Sequence, residues 1–210
     1  MHGKSAGVSC GPRAEQVALY LYVPFVGVTN NAVIGVALGY LEEHPDEADL
    51  LRALIVLALH GPPVTTRNTT PAHVTCSAAV VTPDWRMLQV RQRPSLVWRL
   101  PGGHVDADDA SLLGAALRHL TTKAGIEANT VIPAGVMPIE VGAYPVDASQ
   151  RLSEPEHVHY DFCFLLYVED CSVQHNVGRA VSHRWVPVED VPGRLGAKLK
   201  AASAKAQVAL

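Results

Sequence analysis

Apolar residues recur at helical spacing in two adjacent stretches near the start of the chain. The first stretch runs from Asn31, a common helix-capping residue, to Glu43, and His44-Pro45 ends it because proline disfavours helical geometry in the residue before it. The second runs from Asp46 to Leu59 and stops before Gly61-Pro62-Pro63. The pattern predicts a helical hairpin followed by a linker over about residues 61–70.

From Ala72 onward the apolar positions follow the period of two that is typical of strands, with helical spacing in two places. Strands are predicted over residues 74–81, 87–91, 131–141, 157–168 and 181–187. Helices are predicted from Leu112 to about Gly125, and over about residues 195–208. Strands mixed with two long helices indicate an α/β or α+β sandwich, with residues 1–64 as a helical extension and 65–210 as the main domain.

Composition narrows the class of protein further. The chain is 48% hydrophobic and 18% charged, which is typical of a globular protein. Its net charge of −3 argues against nucleic acid or an anionic membrane as a partner. The stretch from Gln16 to Leu41 carries no charge and is long enough to cross a bilayer, but Pro24, Gly27 and polar residues interrupt it. Two buried elements joined by a turn are the better interpretation.

The four cysteines are Cys10, Cys76, Cys163 and Cys171, and none of them stands in a Cys-x-x-Cys pair. No secretory signal opens the sequence. We therefore expect a cytoplasmic protein with reduced thiols.

Residues 98–126 carry the most specific pattern in the chain, WRLPGGHVDADDASLLGAALRHLTTKAGI. The stretch resembles the Nudix box, Gly-x5-Glu-x7-Arg-Glu-U-x-Glu-Glu-x-Gly-U, where U is a bulky aliphatic residue. The Leu-Pro-Gly-Gly entry, Arg118, Leu120 and Gly125-Ile126 match the box, and one extra residue puts its first acidic position at Asp108 or Asp109. The segments TTRNTTPAHVTCSAAVV, EPEHVHYDFCF and RWVPVEDV resemble strands of one bacterial Nudix subgroup, so the likeness covers residues 65–192.

The resemblance implies a Nudix-type α/β/α sandwich with a mixed sheet and an N-terminal helical hairpin. It also shows where this chain departs from the family, because His119, Thr122 and Lys123 stand where the box has glutamates. In the family these carboxylates lie on one helical face and hold magnesium. We therefore do not expect magnesium at this helix, where the ammonium group of Lys123 would repel it. Cys163 and Gly142 replace an arginine and a histidine of the subgroup.

A replacement metal or acid–base site is one hypothesis for the altered centre. His157, His159, Asp161 and Cys163 are spaced by two, so a strand places them on one face. A transition metal is an open prospect there, with His104 or His119 approaching from the loop and the helix. The same histidines and Asp161 are also the candidate catalytic acids and bases. Ordinary hydrogen bonding in a polar cleft is the simpler interpretation, since strand alternation alone often gathers polar residues.

Ligand binding without magnesium is the second hypothesis. Arg99, Arg118 and Lys123 offer positive charge to a small molecule, with a phosphate-bearing one as a candidate. Glu140 and Cys163 are further candidate ligand contacts. Arg118 also has a structural interpretation, in which it binds the loop before the helix.

Three functions follow from these features. The first is a repurposed small-molecule pathway enzyme or binding protein. The alternatives are a divergent hydrolase of a nucleoside diphosphate-linked compound and an inactive regulatory module. In the hydrolase, metal would be held by carboxylates of Asp106, Asp108, Asp109, Glu140 or Glu156. A homodimer through the helical hairpin is left open.

Overall fold

The computed structural model describes residues 27–91, 97–149, 153–169 and 182–208. The hairpin consists of helix α1 (Asn30–Glu43) and helix α2 (Ala48–His60), which a short 3-10 turn, Pro45–Glu47, connects. Helix α1 ends at His44, as the following proline predicts, but Thr29 caps its start in place of Asn31. The cap prediction was wrong because the Thr29 hydroxyl accepts from the Ala32 amide, which places the cap two residues earlier, and the Asn30 side chain binds the carbonyls of Ala58 and Pro62.

Within the described ranges, eight strands form one mixed sheet. They are β1 (Ala72–Val81), β2 (Arg86–Arg91), β3 (Trp98–Arg99), β4 (Gly102–His104), β5 (Val131–Pro133), β6 (Glu140–Val146), β7 (His157–Val168) and β8 (Ser182–Pro187). The sheet order is β3-β2-β1-β7-β5, with β4 paired to β1, β6 to β7 and β8 to β2. Strands β1 and β7 run parallel over ten residue pairs, whereas the other pairings are antiparallel.

Helices cover both faces of this sheet. Helix α3 (Leu112–Ala124) packs through Ala116 and Leu120 on the face that carries Cys76 and Ala78. Helix α4 (Gly193–Val208) packs through Leu199 on the opposite face, which carries Ala79. All ten residues of β1 are buried, as expected for a strand covered on both sides. The architecture is therefore an α/β/α sandwich, as the sequence predicts.

The N-terminal hairpin shares a hydrophobic core with the sheet. Val33, Ala37 and Leu51 belong to the same buried cluster as Val74 and Phe162. The hairpin also exposes some apolar side chains, Leu38, Val56 and Leu59. The homodimer contact expected at this hairpin stays a prediction.

Two expectations concern residues that lie partly outside the described ranges. Residues 16–26 of the uncharged stretch fall there, and within the described part of the chain no helix is both long and apolar enough to cross a membrane. Cys10 and Cys171 also lie outside the described residues, whereas Cys76 and Cys163 are buried free thiols.

A cluster of charges fastens the hairpin to α4. The Glu47 carboxylate accepts a 2.5 Å hydrogen bond from the Tyr40 hydroxyl, and it lies 2.8 Å from the Lys198 ammonium and 3.0 Å from the Arg194 guanidinium. Burial by itself would raise the pKa of Glu47, but the hydrogen bonds from Lys198 and Tyr40 hold it below the usual value. Glu47 is therefore a charged acceptor shared by three donors.

We expect the substitution Glu47→Gln to lower the free energy of unfolding by about 2 kcal/mol, because it removes the charge that the largely buried Lys198 and the more exposed Arg194 share. Urea unfolding at neutral pH measures the change. The matched control is Glu43→Gln on the exposed side of α1, which should change stability by less than about 0.5 kcal/mol. Equal effects of the two substitutions would contradict the assignment.

Candidate functional site

Four histidines meet at one end of the sheet. His73 on β1 and His159 on β7 are direct partners in the parallel ladder, and His104 on β4 lies opposite Thr75 of β1. His157 precedes His159 by two residues and so projects from the same face of β7. We refer to His73, His104, His157 and His159 as the histidine cluster.

The rings of the histidine cluster are in mutual contact. Five pairs of ring centroids lie 4.7 to 5.1 Å apart, and the Nε2 atoms of His157 and His159 are separated by 3.0 Å. Two of the rings also form hydrogen bonds with backbone carbonyls. Nδ1 of His73 lies 2.9 Å from the Thr69 carbonyl oxygen, and Nδ1 of His157 lies 2.7 Å from the Pro155 carbonyl oxygen. A carbonyl oxygen can only accept, so both Nδ1 atoms carry a proton, and in the neutral form of each ring Nε2 presents a lone pair.

Burial and mutual repulsion keep three of these rings, those of His73, His104 and His159, uncharged. Burial, followed by the neighbouring histidines, lowers the pKa of His104 to about 3 and that of His159 to about 4. Burial also lowers the pKa of His73. These three imidazoles are therefore neutral at pH 7, the form that accepts a proton or binds a metal ion.

Asp161 and Cys163 lie further along the same face of β7. Asp161 accepts hydrogen bonds from the hydroxyls of Thr75, at 2.7 Å, and Ser77. Burial raises the pKa of Asp161, and these hydrogen bonds and the charge of Lys123 oppose that rise. Burial likewise raises the pKa of the Cys163 thiol. Of the four residues predicted to share a face, the structure thus brings the two histidines into the cluster and engages both carboxylate oxygens of Asp161 elsewhere.

Helix α3 meets the backbone of β4 from the other side of the sheet. Nε2 of His119 lies 2.8 Å from the carbonyl oxygen of His104, and the Lys123 ammonium donates to the carbonyl of Gly102. Gly103 permits this approach, because a Cβ atom there would lie 2.7 Å from the His119 ring. Burial lowers the pKa of His119. The helix and the histidine cluster are thus joined through β4.

Arg118 fastens the loop before α3. Its guanidinium donates to both oxygens of Asp109 at 2.8 and 2.7 Å, donates to the His104 carbonyl at 3.0 Å and lies 3.0 Å from Asp106. Burial by itself would raise the pKa of Asp109, but the hydrogen bonds from Arg118 and from the Asp106 amide hold it below its usual value. Arg118 therefore has the loop-binding contacts that the sequence suggests.

The remaining candidate residues lie apart from these contacts or at the edge of the sheet. Arg99, Asp108 and Glu156 are exposed. Glu140 is buried, its pKa is raised by that burial, and the Arg194 guanidinium lies 3.4 Å away. The catalytic and ligand-binding roles of all these residues stay predictions.

Two neighbouring residues were not anticipated from the sequence. His73 begins the run His73, Thr75, Ser77, whose spacing by two is a signal that these polar residues share a strand face. Tyr144 lies over Gly142, where a Cβ atom would come within 2.5 Å of its ring. A side chain as large as the histidine expected at position 142 would therefore displace Tyr144.

Comparisons with known proteins identify relatives of the chain. The NUDIX domain family model matches residues 71–208. A search of curated proteins found no match. Among solved structures, the chain is similar to a C. elegans Ap4A hydrolase binary complex, at 16% identity and a TM-score of 0.49, covering 64% of this chain and 97% of that one. It is also similar to a NUDIX-family hydrolase from Clostridium perfringens, at 17% identity, a TM-score of 0.45, and 66% and 98% coverage.

We expect the substitution Asp109→Asn to lower the free energy of unfolding by about 2–3 kcal/mol at pH 7, because it leaves the partly buried Arg118 without its anion. The folded-state pKa of Asp109 is lowered, so its contribution is complete above the unfolded value of about 3.9 and is lost as the pH falls through the folded-state value. Urea unfolding of the natural chain and of Asp109→Asn, at pH 7 and at low pH, measures the difference in the free energy of unfolding.

The matched control for that experiment is Asp108→Asn, which changes an adjacent exposed carboxylate. It should alter stability by less than about 0.5 kcal/mol at either pH. A deficit of Asp109→Asn that stays constant down to acid pH would show that the carboxylate charge is not its cause.

Proposed function

Because the chain belongs to the Nudix family, we propose that it binds a small phosphate-bearing molecule without the magnesium ion that the glutamates of the Nudix box hold. The observation that carries this proposal is the position of Lys123. Its ammonium group donates to the Gly102 carbonyl from a helix position where the box has a glutamate. The proposed protein is a repurposed enzyme or binding protein of its family.

The three altered positions of the box share one chemical property that supports the proposal. Each now presents a hydrogen-bond donor to a backbone carbonyl: His119 to His104, Thr122 to Arg118 at 2.9 Å, and Lys123 to Gly102. Carboxylates at these positions would be acceptors and could not make these bonds. These helix positions thus present hydrogen-bond donors, whereas a cation needs oxygen atoms with available lone pairs.

Magnesium does not fit this donor set. The ion prefers hard oxygen ligands in an octahedral arrangement, and an imidazole, a hydroxyl and an ammonium do not supply them. Two unit charges about 4 Å apart interact by about 4 kcal/mol near a protein surface, so a divalent ion at that distance from Lys123 would be repelled by about 8 kcal/mol. The same ammonium is attractive to a phosphate.

The contacts of the other carboxylates weaken the hydrolase alternative. Asp106 and Asp109 are paired with Arg118, and Glu140 with Arg194. Within the described ranges, the one group of three ligand-type side chains close enough to share an ion consists of histidines. A metal held by Asp108 or Glu156 would have to gather its ligands from exposed positions.

The proposal predicts that restoring the box restores magnesium binding. We expect no heat of Mg²⁺ binding for the natural chain by titration calorimetry, and a measurable one for the variant His119→Glu/Thr122→Glu/Lys123→Glu. The matched control is Lys123→Gln, which removes the repulsive charge without adding a carboxylate. It should bind Mg²⁺ much more weakly than the triple variant.

A panel of nucleoside diphosphate-linked compounds separates the three functions. Thermal stabilisation by such a compound without magnesium, reduced in Lys123→Gln, is the expected result. Turnover that persists in a chelator would indicate a repurposed enzyme, and stabilisation without turnover would indicate a binding module. Magnesium-dependent phosphate release by the natural chain, abolished by Asp108→Asn or Glu156→Gln, would refute the proposal and establish the hydrolase.

A further inference from the structure

We propose that His73, His104 and His159 bind a divalent transition metal ion, with zinc as the first candidate and His157 as the fourth nitrogen ligand. This site is distinct from the helix position at which Nudix boxes hold magnesium. It lies on the other face of the sheet and uses nitrogen ligands only. The inference does not depend on the ligand proposed above.

The separations between the nitrogen atoms support a shared ion. One ligand nitrogen from each of His73, His104 and His159 lies within 4.8 Å of the other two. Zinc–nitrogen bonds of about 2.0–2.1 Å place two ligands of a tetrahedral site about 3.4 Å apart. The ligand nitrogens therefore need to approach one another by up to about 1.4 Å, which small side-chain rotations supply. The Nε2 atoms of His157 and His159, 3.0 Å apart, already have nearly that spacing.

Two of the rings have the backbone hydrogen-bond acceptor that a metal-bound histidine usually has. A ligating imidazole usually donates its other N–H to a carbonyl or carboxylate, which fixes the ring and its tautomer. His73 donates through Nδ1 to Thr69, and His157 donates through Nδ1 to Pro155. Their Nε2 atoms are therefore available as ligands.

His73 gives the second independent observation. Its Nε2 atom is buried and, among the residues that the structure describes, has no hydrogen-bond partner. The residue itself is only 1% exposed. A buried polar atom left unpaired costs about 1–3 kcal/mol, and a metal ion coordinated by its lone pair would remove that cost.

The imidazole ligands favour a transition metal ion. Imidazole nitrogen suits zinc, copper, nickel and iron, whereas magnesium and calcium require oxygen ligands. The charged groups near the cluster are Arg67 and Glu154, which form an ion pair of 2.5 Å with each other. The charges of Arg67 and Glu154 largely cancel, and the imidazoles of His73, His104 and His159 are neutral at pH 7, so little opposes the entry of a cation. His104 and His159 are only partly buried, which leaves a path to the site.

The test uses the full chain, purified without a histidine tag, stripped with a chelator and titrated with Zn²⁺ in competition with a chromogenic chelator. We expect one ion per chain, and an affinity at least about 100-fold lower in His104→Ala and in His159→Ala. The matched control is His60→Ala, an exposed histidine at the end of α2, which should bind as the natural chain does. Two variants of partly buried ligands are used so that misfolding of one does not decide the result.

Two further measurements distinguish a built site from weak surface binding. Co²⁺ should give visible absorption bands of a nitrogen-coordinated ion that Zn²⁺ abolishes and excess Mg²⁺ does not. Zn²⁺ should also raise the melting temperature of the natural chain and of His60→Ala, but not that of His159→Ala. Binding that is equal in all variants, or no stoichiometric binding, would overturn the inference. Because no phosphate compound is present, either result leaves the proposed function to its own test.

Discussion

The parallel pairing of β1 with β7 is the constraint on which the rest of the site depends. Its register places His73 beside His159, Thr75 beside Asp161 and Ser77 beside Cys163. Because side chains alternate along a strand, a slip of one residue would move His73 to the opposite face from His159 and separate Asp161 from both hydroxyls. The apolar residues between them enforce the register, since Cys76 and Phe162 are fully buried on the other face, where α3 and the hairpin pack. The core therefore fixes the polar site.

The backbone of β4 connects this site to helix α3. The carbonyl of His104 accepts from both Arg118 and His119, while the side chain of the same residue belongs to the histidine cluster. The carbonyl of Gly102 accepts from Lys123. Hydrogen bonds from charged donors are worth more than neutral ones, about 1.5–3 kcal/mol each. The helix that is typical of the family is thus held against the strand by cationic and neutral donors.

Local patterns predicted the long helices and strands, whereas the short strands β3 and β4 were not predicted. The predicted strand over residues 131–141 is the main exception, since the structure divides that region into β5 and β6. Pro133, Gly135 and Pro138 interrupt it, and Val136 between them is 73% exposed. Apolar residues stand on both sides of this break, but the proline residues prevent a continuous ladder. The two prolines and the glycine therefore indicated a break, but the apolar residues of the segment led to the prediction of one continuous strand.

The site was harder to predict than the elements because its contacts are not local. Spacing by two shows that His157 and His159 share a face, yet His73 is 86 residues from His159 and joins them only through strand pairing. His119 and Lys123 of α3 contact β4 from one side of the sheet, and the histidine cluster lies on the other side, so the cluster makes no use of these two side chains. The fold depends on the buried strands and on α3, whereas the chemistry of any site depends on a few polar side chains. The fold and the polar side chains of a site can therefore change separately, because a change on one face of the sheet leaves the buried residues that fix the register of β1 and β7 in place.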